Sequence, residues 1–258
     1  MSNWDVVVEK ITSFIRQKVN ESNAKGVVVG VSGGVDSACV TILSQKALGA
    51  ENVKGLIMPE KGITPEQDII DAVNLCKELG IDFRIIEINP FVDAFEKILG
   101  KRSLKAIANL KPRIRMTILY FHANSENMIV VGTGNKTELS VGYFTKYGDG
   151  GVDILPIGDL YKTEVFKLAE YIGVPENIIK KKPSAGLWKG QTDEKEMGIS
   201  YEKLDLILKS IEKNIEEIDA GEDEIKKVKE MVKISSHKRE SPPAPEIRTF
   251  IDKTNSFQ

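Results

Sequence analysis

The sequence predicts an α/β fold, a parallel sheet with helices on both faces. Three observations point there. Short runs rich in Val and Ile alternate with longer segments whose apolar residues recur at helical spacing. A double-glycine turn, Gly30-Val31-Ser32-Gly33-Gly34-Val35-Asp36-Ser37, joins the first such run to a helical segment. A second glycine turn, Gly132-Thr133-Gly134, follows a later strand run in the same way. Strand–helix–strand connections are right-handed crossovers, and ligands on such sheets bind at the carboxyl ends of the strands. Both glycine turns fall at such ends, so they can share one ligand.

Residues 4–20 carry Trp4, Val7, Ile11, Phe14 and Ile15 at helical spacing and predict an amphipathic helix. Residues 26–31 predict the first strand, and 37–48 the helix after it. The second strand is expected at 53–58. Thr64-Pro65-Glu66-Gln67 reads as a capping box with proline at the first helical position. Its helix runs through Ile69, Val73, Cys76 and Leu79, and Gly80 ends it. The third and fourth strands are expected at 83–88 and 128–131. Between them, 101–126 reads as helical through Leu104, Ile107, Leu110, Ile114, Ile118 and Leu119, with Pro112 interrupting it. Asp159-Leu160-Tyr161-Lys162-Thr163-Glu164 opens a helix that ends at Gly173. Residues 181–198 are the main irregular stretch. The pattern from 200 to 236 is helical again, and a proline-rich tail follows.

The 258 residues suffice for one large α/β domain with a sizeable core. Hydrophobic residues make up 41% and charged ones 29%, as in ordinary globular proteins. A net charge of −2 argues against a nucleic-acid binder driven by bulk charge. Cys39 and Cys76 lie in apolar helical runs and read as reduced core residues. No Cys-x-x-Cys exists, which disfavours tRNA thiolation chemistry. No signal peptide and no bilayer-length apolar stretch is present, so the expected setting is cytoplasmic, with no membrane partner.

The Gly30–Ser37 turn has the chemistry of an anion cradle. Adjacent glycines let the backbone turn tightly and present N–H groups outward, and the following helix aims its positive end at the same spot. Hydroxyls of Ser32 and Ser37 add donors. Asp36 sits inside, where a bare anion site would avoid negative charge; a carboxylate there makes sense if a divalent cation is shared with phosphates. The loop is neither a Walker motif nor a Gly-x-Gly-x-x-Gly turn. It resembles the pyrophosphatase loop of ligases that cleave ATP to AMP and pyrophosphate, a superfamily that includes NAD, GMP, asparagine and argininosuccinate synthetases.

Downstream, Gly132-Thr133-Gly134-Asn135-Lys136-Thr137-Glu138 and Gly142-Tyr143-Phe144-Thr145-Lys146-Tyr147-Gly148-Asp149-Gly150-Gly151-Val152-Asp153 place two glycine-rich loops around a short helix. Each functional candidate here has a plain structural reading beside it. Lys146 and Lys162 read equally as solvated surface lysines. Asp153 reads as a turn residue, Glu138 as a helix-capping acid three residues after Asn135. His122 lies in a helix and reads as structural, and His237 sits unremarkably near a basic tail.

In order along nearly the whole chain, six stretches resemble the ammonia-dependent NAD synthetases. They are Asn109-Leu-Lys-Pro-Arg113-Ile-Arg115-Met116, Gly132 to Glu138, Tyr143 to Asp153, Asp159-Leu-Tyr-Lys162, Lys182-Pro-Ser184 to Glu194, and Ser236-His237-Lys238-Arg239. The resemblance implies a Rossmann-like sheet of the adenine nucleotide alpha hydrolase type. It implies amidation of deamido-NAD by ammonia with ATP, through an acyl-adenylate, giving NAD, AMP and pyrophosphate. Gly30, Val31, Ser32, Gly33, Gly34, Val35, Asp36 and Ser37 would hold ATP phosphates, with Thr133, Lys162 and Ser184 also on ATP. Asp36 and Glu138 would ligate Mg²⁺, and Asp36 and Lys162 would carry the catalysis. Arg113, Lys146, Asp153, His237 and Lys238 would bind deamido-NAD, whose two phosphates and nicotinate carboxylate suit cationic side chains. The choice between Arg113 and Arg115 stays open.

The resemblance also implies a homodimer, for which the aliphatic face of 101–126 serves as interface or as core. The expectation is a single synthetase domain over 1–258 with no glutaminase domain, so that free ammonia is the nitrogen source. A GMP synthetase-type amidating enzyme and a non-catalytic ATP-binding module are the alternatives; Asp36 together with Glu138 favours an enzyme.

Overall fold

The structure is a computed structural model that describes residues 3–100, 102–215 and 217–247. Its elements run α1 (Asn3–Glu21), β1 (Gly26–Gly30), α2 (Val35–Leu48), β2 (Val53–Ile57), α3 (Glu66–Glu78), β3 (Asp82–Ile85), α4 (Asn89–Leu99) and α5 (Leu104–Glu126). Then come β4 (Met128–Val131), α6 (Lys136–Val141), α7 (Lys162–Ile172), α8 (Glu176–Ile179), α9 (Asp193–Met197), α10 (Tyr201–Lys213) and α11 (Glu222–Ile234). The four strands form one parallel sheet in the order β3-β2-β1-β4. The chain winds outward from β1 to β3, then returns to place β4 on the other side of β1. The winding direction therefore reverses between β1 and β4, where a crevice opens at the carboxyl ends. Val131 also bridges in parallel to Ile154, so the sheet edge continues past β4.

β1 and β4 carry no polar alternation because both faces are covered, whereas the edge strand β3, Asp82-Phe83-Arg84-Ile85, alternates and is largely exposed. Val27, Val29 and Val31 join a core with Ile15 of α1, Leu43 of α2 and Leu168 of α7. Val28, Leu56 and Val130 point the other way, into a core with Ile114 and Ile118 of α5. Burying each such side chain contributes roughly 1.5–3 kcal/mol, so two-sided burial fixes these short strands. A third cluster, with Leu204, Ile207 and Val228, packs α10 and α11 against Val141 and Tyr161. No described helix is long and apolar enough to cross a membrane.

Four local expectations need correction. The capping box at Thr64 does not form: Pro65 is the N-cap of α3, and the Thr64 hydroxyl instead accepts the Glu60 N–H at 2.9 Å. The local turn outcompetes the helix for that side chain. The third strand stops at Ile85, because the Ile88 N–H turns to the Pro59 carbonyl and α4, which the apolar pattern did not reveal, begins at Asn89. Pro112 lies inside α5 without ending it. A buried proline costs roughly 3 kcal/mol in a helix, and the flanking burial of Ala108, Lys111, Ile114 and Ile118 outweighs it. Residues 200–236 are two helices, broken after Asn214, which takes the left-handed conformation at φ 53°. The irregular stretch 181–198 ends in the short α9.

Candidate functional site

The β1–α2 turn folds as a cradle. The Ser32 and Ser37 hydroxyls lie 3.0 Å apart, and the Ser37 hydroxyl donates to the Gly34 carbonyl at 2.9 Å. No side chain caps α2, so the first amides of that helix keep their donors for a ligand. Gly33 is required: its φ is +80°, and an added Cβ would lie 2.3 Å from the Asp68 carbonyl oxygen. Asp36 in the first turn of α2 points toward β4.

Lys162, at the start of α7, reaches back across the crevice. Its ammonium lies 2.5 Å from Asp36 Oδ2 and 3.2 Å from Glu138 Oε1. The lysine side chain is 2% exposed, against 18% and 17% for its two partners, so the carboxylates form the wet rim over a dry cation. Asn135 Nδ2 donates to Asp36 Oδ1 at 2.9 Å. Its Oδ1 accepts the Glu138 N–H, while Glu138 Oε2 accepts the Asn135 N–H, so the capping reading of Glu138 is correct as well. One glutamate thus closes the N-terminus of α6 and meets Lys162.

Two buried groups set Lys162. The Thr137 hydroxyl accepts the Lys162 backbone N–H at 2.9 Å and donates to Asp205 of α10. Asp205 accepts the Thr163 N–H at 2.8 Å, so a carboxylate from another helix caps α7. Above the ammonium, the Tyr201 ring centroid lies 5.1 Å away. The Tyr201 and Tyr143 hydroxyls both donate to Asp193, at 2.9 and 3.1 Å. Burial pushes Glu138 up to about 7; Lys162 opposes the rise, and the like charges of Asp36 and Asp193 add to it. Burial pulls the Lys162 ammonium down, but Asp36 and Glu138 more than offset this and hold it above its ordinary value. Three carboxylates around one ammonium leave a surplus of negative charge.

The remaining predicted residues fall into three groups. Arg113 donates to the Lys146 carbonyl at 3.2 Å, and Lys146 Nζ donates to the His237 carbonyl. Lys238 Nζ donates to the carbonyls of Gly142 and Phe144, at 2.6 and 2.7 Å. Arg113, Lys146 and the His237–Lys238 pair, from three distant parts of the sequence, therefore share one surface. Arg115 turns elsewhere and donates to the Met58 carbonyl at 3.0 Å. Asp153 stands apart from that surface: it accepts the Val130 N–H at 2.7 Å and the Tyr120 hydroxyl at 2.9 Å, tying the loop to β4. Thr133 and Glu138 line a recess of about 50 Å³ with Phe144 and Asp149. Ser184 is exposed, and its hydroxyl accepts the Gly186 N–H. Both cysteines are buried, and burial pushes the Cys76 thiol up to about 12 and Cys39 higher still, so neither is a nucleophile. His122 is buried beside Glu126, as expected of a structural residue.

Residues 7–242 match the family model described as NAD synthase. The chain belongs to the NAD synthase family. A relative from Archaeoglobus fulgidus, named an NH(3)-dependent NAD(+) synthetase, is 59% identical over 96% of this chain and all of its own length. One of the same name from Methanocaldococcus jannaschii is 51% identical over 95% of this chain and 98% of its own. Among solved structures, the NH3-dependent NAD synthetase from Campylobacter jejuni in complex with nitrate superposes with a TM-score of 0.84 at 38% identity. It covers 95% of this chain and 100% of its own. An NMN synthetase from Francisella tularensis superposes at 0.87 and 36%, with the same coverage. In this NAD synthase chain, sequence reasoning missed Asn135, Thr137, Asp193, Tyr201 and Asp205. Only the Asn135-to-Glu138 spacing carried a usable signal.

Proposed function

We propose that this chain amidates deamido-NAD with ammonia, using ATP and releasing AMP and pyrophosphate. Family membership supports the reaction class. The observation that carries the assignment of the site is the meeting, at the carboxyl ends of β1 and β4, of a phosphate-type loop with the Asp36–Lys162–Glu138 triad. Gly30 to Ser37 receive the phosphates, with Thr133, Lys162 and Ser184 as further ATP contacts. The cationic surface of Arg113, Lys146, His237 and Lys238 takes the dinucleotide. Arg113 rather than Arg115 belongs to it, because Arg113 meets Lys146 whereas Arg115 turns away to the Met58 carbonyl after β2. Asp153 ties the end of the Tyr143–Asp153 loop to β4.

Magnesium fits the donor set. Among the described residues no trio of His, Cys, Asp or Glu is arranged to hold a metal alone. Two hard carboxylates with surplus negative charge suit a cation whose remaining ligands are phosphate and water. Asp36 and Glu138 would hold it, and it would supply neutralisation of the triphosphate.

The nicotinate carboxylate attacks the α-phosphorus, and the bond to the pyrophosphate oxygen breaks. Lys162, behind Asp36 and Glu138, adds fixed positive charge to the side of the crevice where that oxygen charge develops. Ammonia then attacks the acyl carbon of the adenylate, AMP leaves, and a proton is lost from nitrogen. No side-chain nucleophile is needed; positioning two large anions in line supplies most of the rate.

We infer a single synthetase domain and a homodimer. Of the 101–126 face, read as interface or core, Ile114 and Ile118 are core. An exposed apolar face lies on α4, where Phe91, Phe95 and Ile98 share one side. The decisive assay is AMP and amide formation with ammonium or glutamine, on deamido-NAD, XMP or nicotinate mononucleotide. Amidation of deamido-NAD with ammonium, lost in Asp36→Ala, is expected. Equal rates with glutamine freed of ammonia, or preference for another acceptor, would overturn the reading.

A further inference from the structure

The Gly33 carbonyl on the back of the phosphate loop is held by a side chain from the irregular segment. Lys181 Nζ lies 3.0 Å from that carbonyl oxygen and 2.7 Å from Asp68 Oδ1, and it pairs with Asp71. Asp71 is 3% exposed and is fixed further by Gln67 Nε2 and Asn177 Nδ2, each at 2.8 Å. Lys181 thus ties together the β1–α2 turn, the first turns of α3 and the end of α8. We propose that Lys181 is a positioning residue for ATP, locking the Gly33–Gly34 peptide so that its N–H faces the phosphates.

The physical reason lies in the peptide unit. In a trans peptide the carbonyl and the N–H point in opposite directions. With the Gly33 oxygen held toward Lys181, the Gly34 N–H must point to the front, where it already meets Ser32 Oγ at 3.3 Å. Glycine on both sides leaves this peptide free of the Cβ restraints that would otherwise forbid a flip. Within the loop only the long Gly34 N–H to Ser32 Oγ bond opposes turning of the carbonyl into the cradle, where it would repel phosphate; Lys181 adds the charged hold on the carbonyl itself. Because Lys181 opens the 181–192 segment, the loop is set for phosphate only when that segment is docked at its base.

This inference rests on the loop's being the ATP site, and the test separates the two. ATP KM, deamido-NAD KM, kcat and melting temperature are measured for Lys181→Met, Lys181→Arg, Lys181→Met with Asp71→Asn, and Ser37→Ala. Lys181→Met is expected to raise ATP KM by about tenfold, as for one lost charged hydrogen bond, with deamido-NAD KM unchanged. Lys181→Arg keeps a donor and recovers part of the loss. The double variant removes the stranded Asp71 charge, so it regains melting temperature but not ATP KM. An unchanged ATP KM in Lys181→Met, or recovery of ATP KM in the double variant, would show that Lys181 only offsets Asp71. An unchanged ATP KM in Ser37→Ala would remove the cradle reading and the lock with it.

Discussion

Thr137 is the hub on which Lys162 depends, and Thr137→Val tests this with little change of volume. The side chain is fully buried, so the variant keeps the packing and loses only the hydroxyl. Two bonds go: the Lys162 N–H loses its acceptor, and Asp205 loses a donor while keeping the Thr163 N–H. A stranded buried N–H costs about 1–3 kcal/mol and a weakened buried carboxylate a similar amount, so a loss of about 3 kcal/mol is expected. At roughly 2–4 °C per kcal/mol, the melting temperature falls by about 6–12 °C. Burial holds Asp205 above its ordinary carboxylate range, with the Thr137 and Thr163 bonds opposing. Removing one bond raises it further, so the deficit is full where Asp205 is ionised and shrinks as pH falls and the group protonates. Thermal melts of wild type, Thr137→Val and Thr137→Ser across pH, with AMP release in parallel, read both effects. The serine variant keeps stability and turnover. A valine variant within about 0.5 kcal/mol of wild type, with equal turnover, would refute the hub.

Glu138 is held above the ordinary glutamate value of 4.5, at about 7, chiefly by burial. The folded state therefore binds its proton more tightly than the unfolded one, and stability falls as pH rises from 4.5 through 7, then levels. Glu138→Gln should flatten that slope in denaturant melts while abolishing amidation; an unchanged slope places the strain elsewhere. Residues 181–198 are clasped by Lys181 at one end and by the Lys111-to-Leu187 carbonyl bond, 2.7 Å, in the middle. Hydrogen exchange there should slow when ATP and deamido-NAD bind together, and equal rates with and without them would count against a lid. Light scattering should give a dimer, and Phe95→Asp with Ile98→Asp a monomer; a monomeric wild type at micromolar concentration refutes the assembly.

The sheet was legible because its signal is local. Val27 to Val31 is apolar without alternation, which only a strand buried on both faces requires, and glycine turns mark both ends of the crevice. The misses arose where a local preference met a tertiary demand. Thr64 has the letters of a capping box, but its hydroxyl found a nearer amide at Glu60. Pro112 has the letter of a helix breaker, but α5 lies buried on both sides of it. On α4, Phe91, Phe95 and Ile98 recur at helical spacing but face outward, and the helix was not read from the sequence.

At the candidate site, the sequence displayed the groups proposed to meet a ligand and hid those that hold them. Asp36 and Glu138 stand out because a carboxylate in a phosphate loop or a glycine-flanked turn is chemically odd. Lys162 was ambiguous: most lysines are solvated, and only the fold brings this one 126 residues back to Asp36. Asp205, Asp193 and Tyr201 carry no local mark at all, since each lies in an ordinary-looking helix start or face. Their effect is nevertheless first-order. Without Thr137 and Asp205 the Lys162 and Thr163 N–H groups at the start of α7 lose their acceptors, and the Lys162 ammonium loses a fixed base for its reach across the crevice. Without Lys162, Asp36 and Glu138 face each other as like charges in a partly dry recess, which favours protonation of one of them and loss of an oxygen donor. Burial and mutual repulsion of Asp36 and Glu138 are therefore opposed by a lysine whose own position is set by a threonine–aspartate contact spanning 68 residues. Substitutions at that remote contact should lower turnover before they unfold the chain.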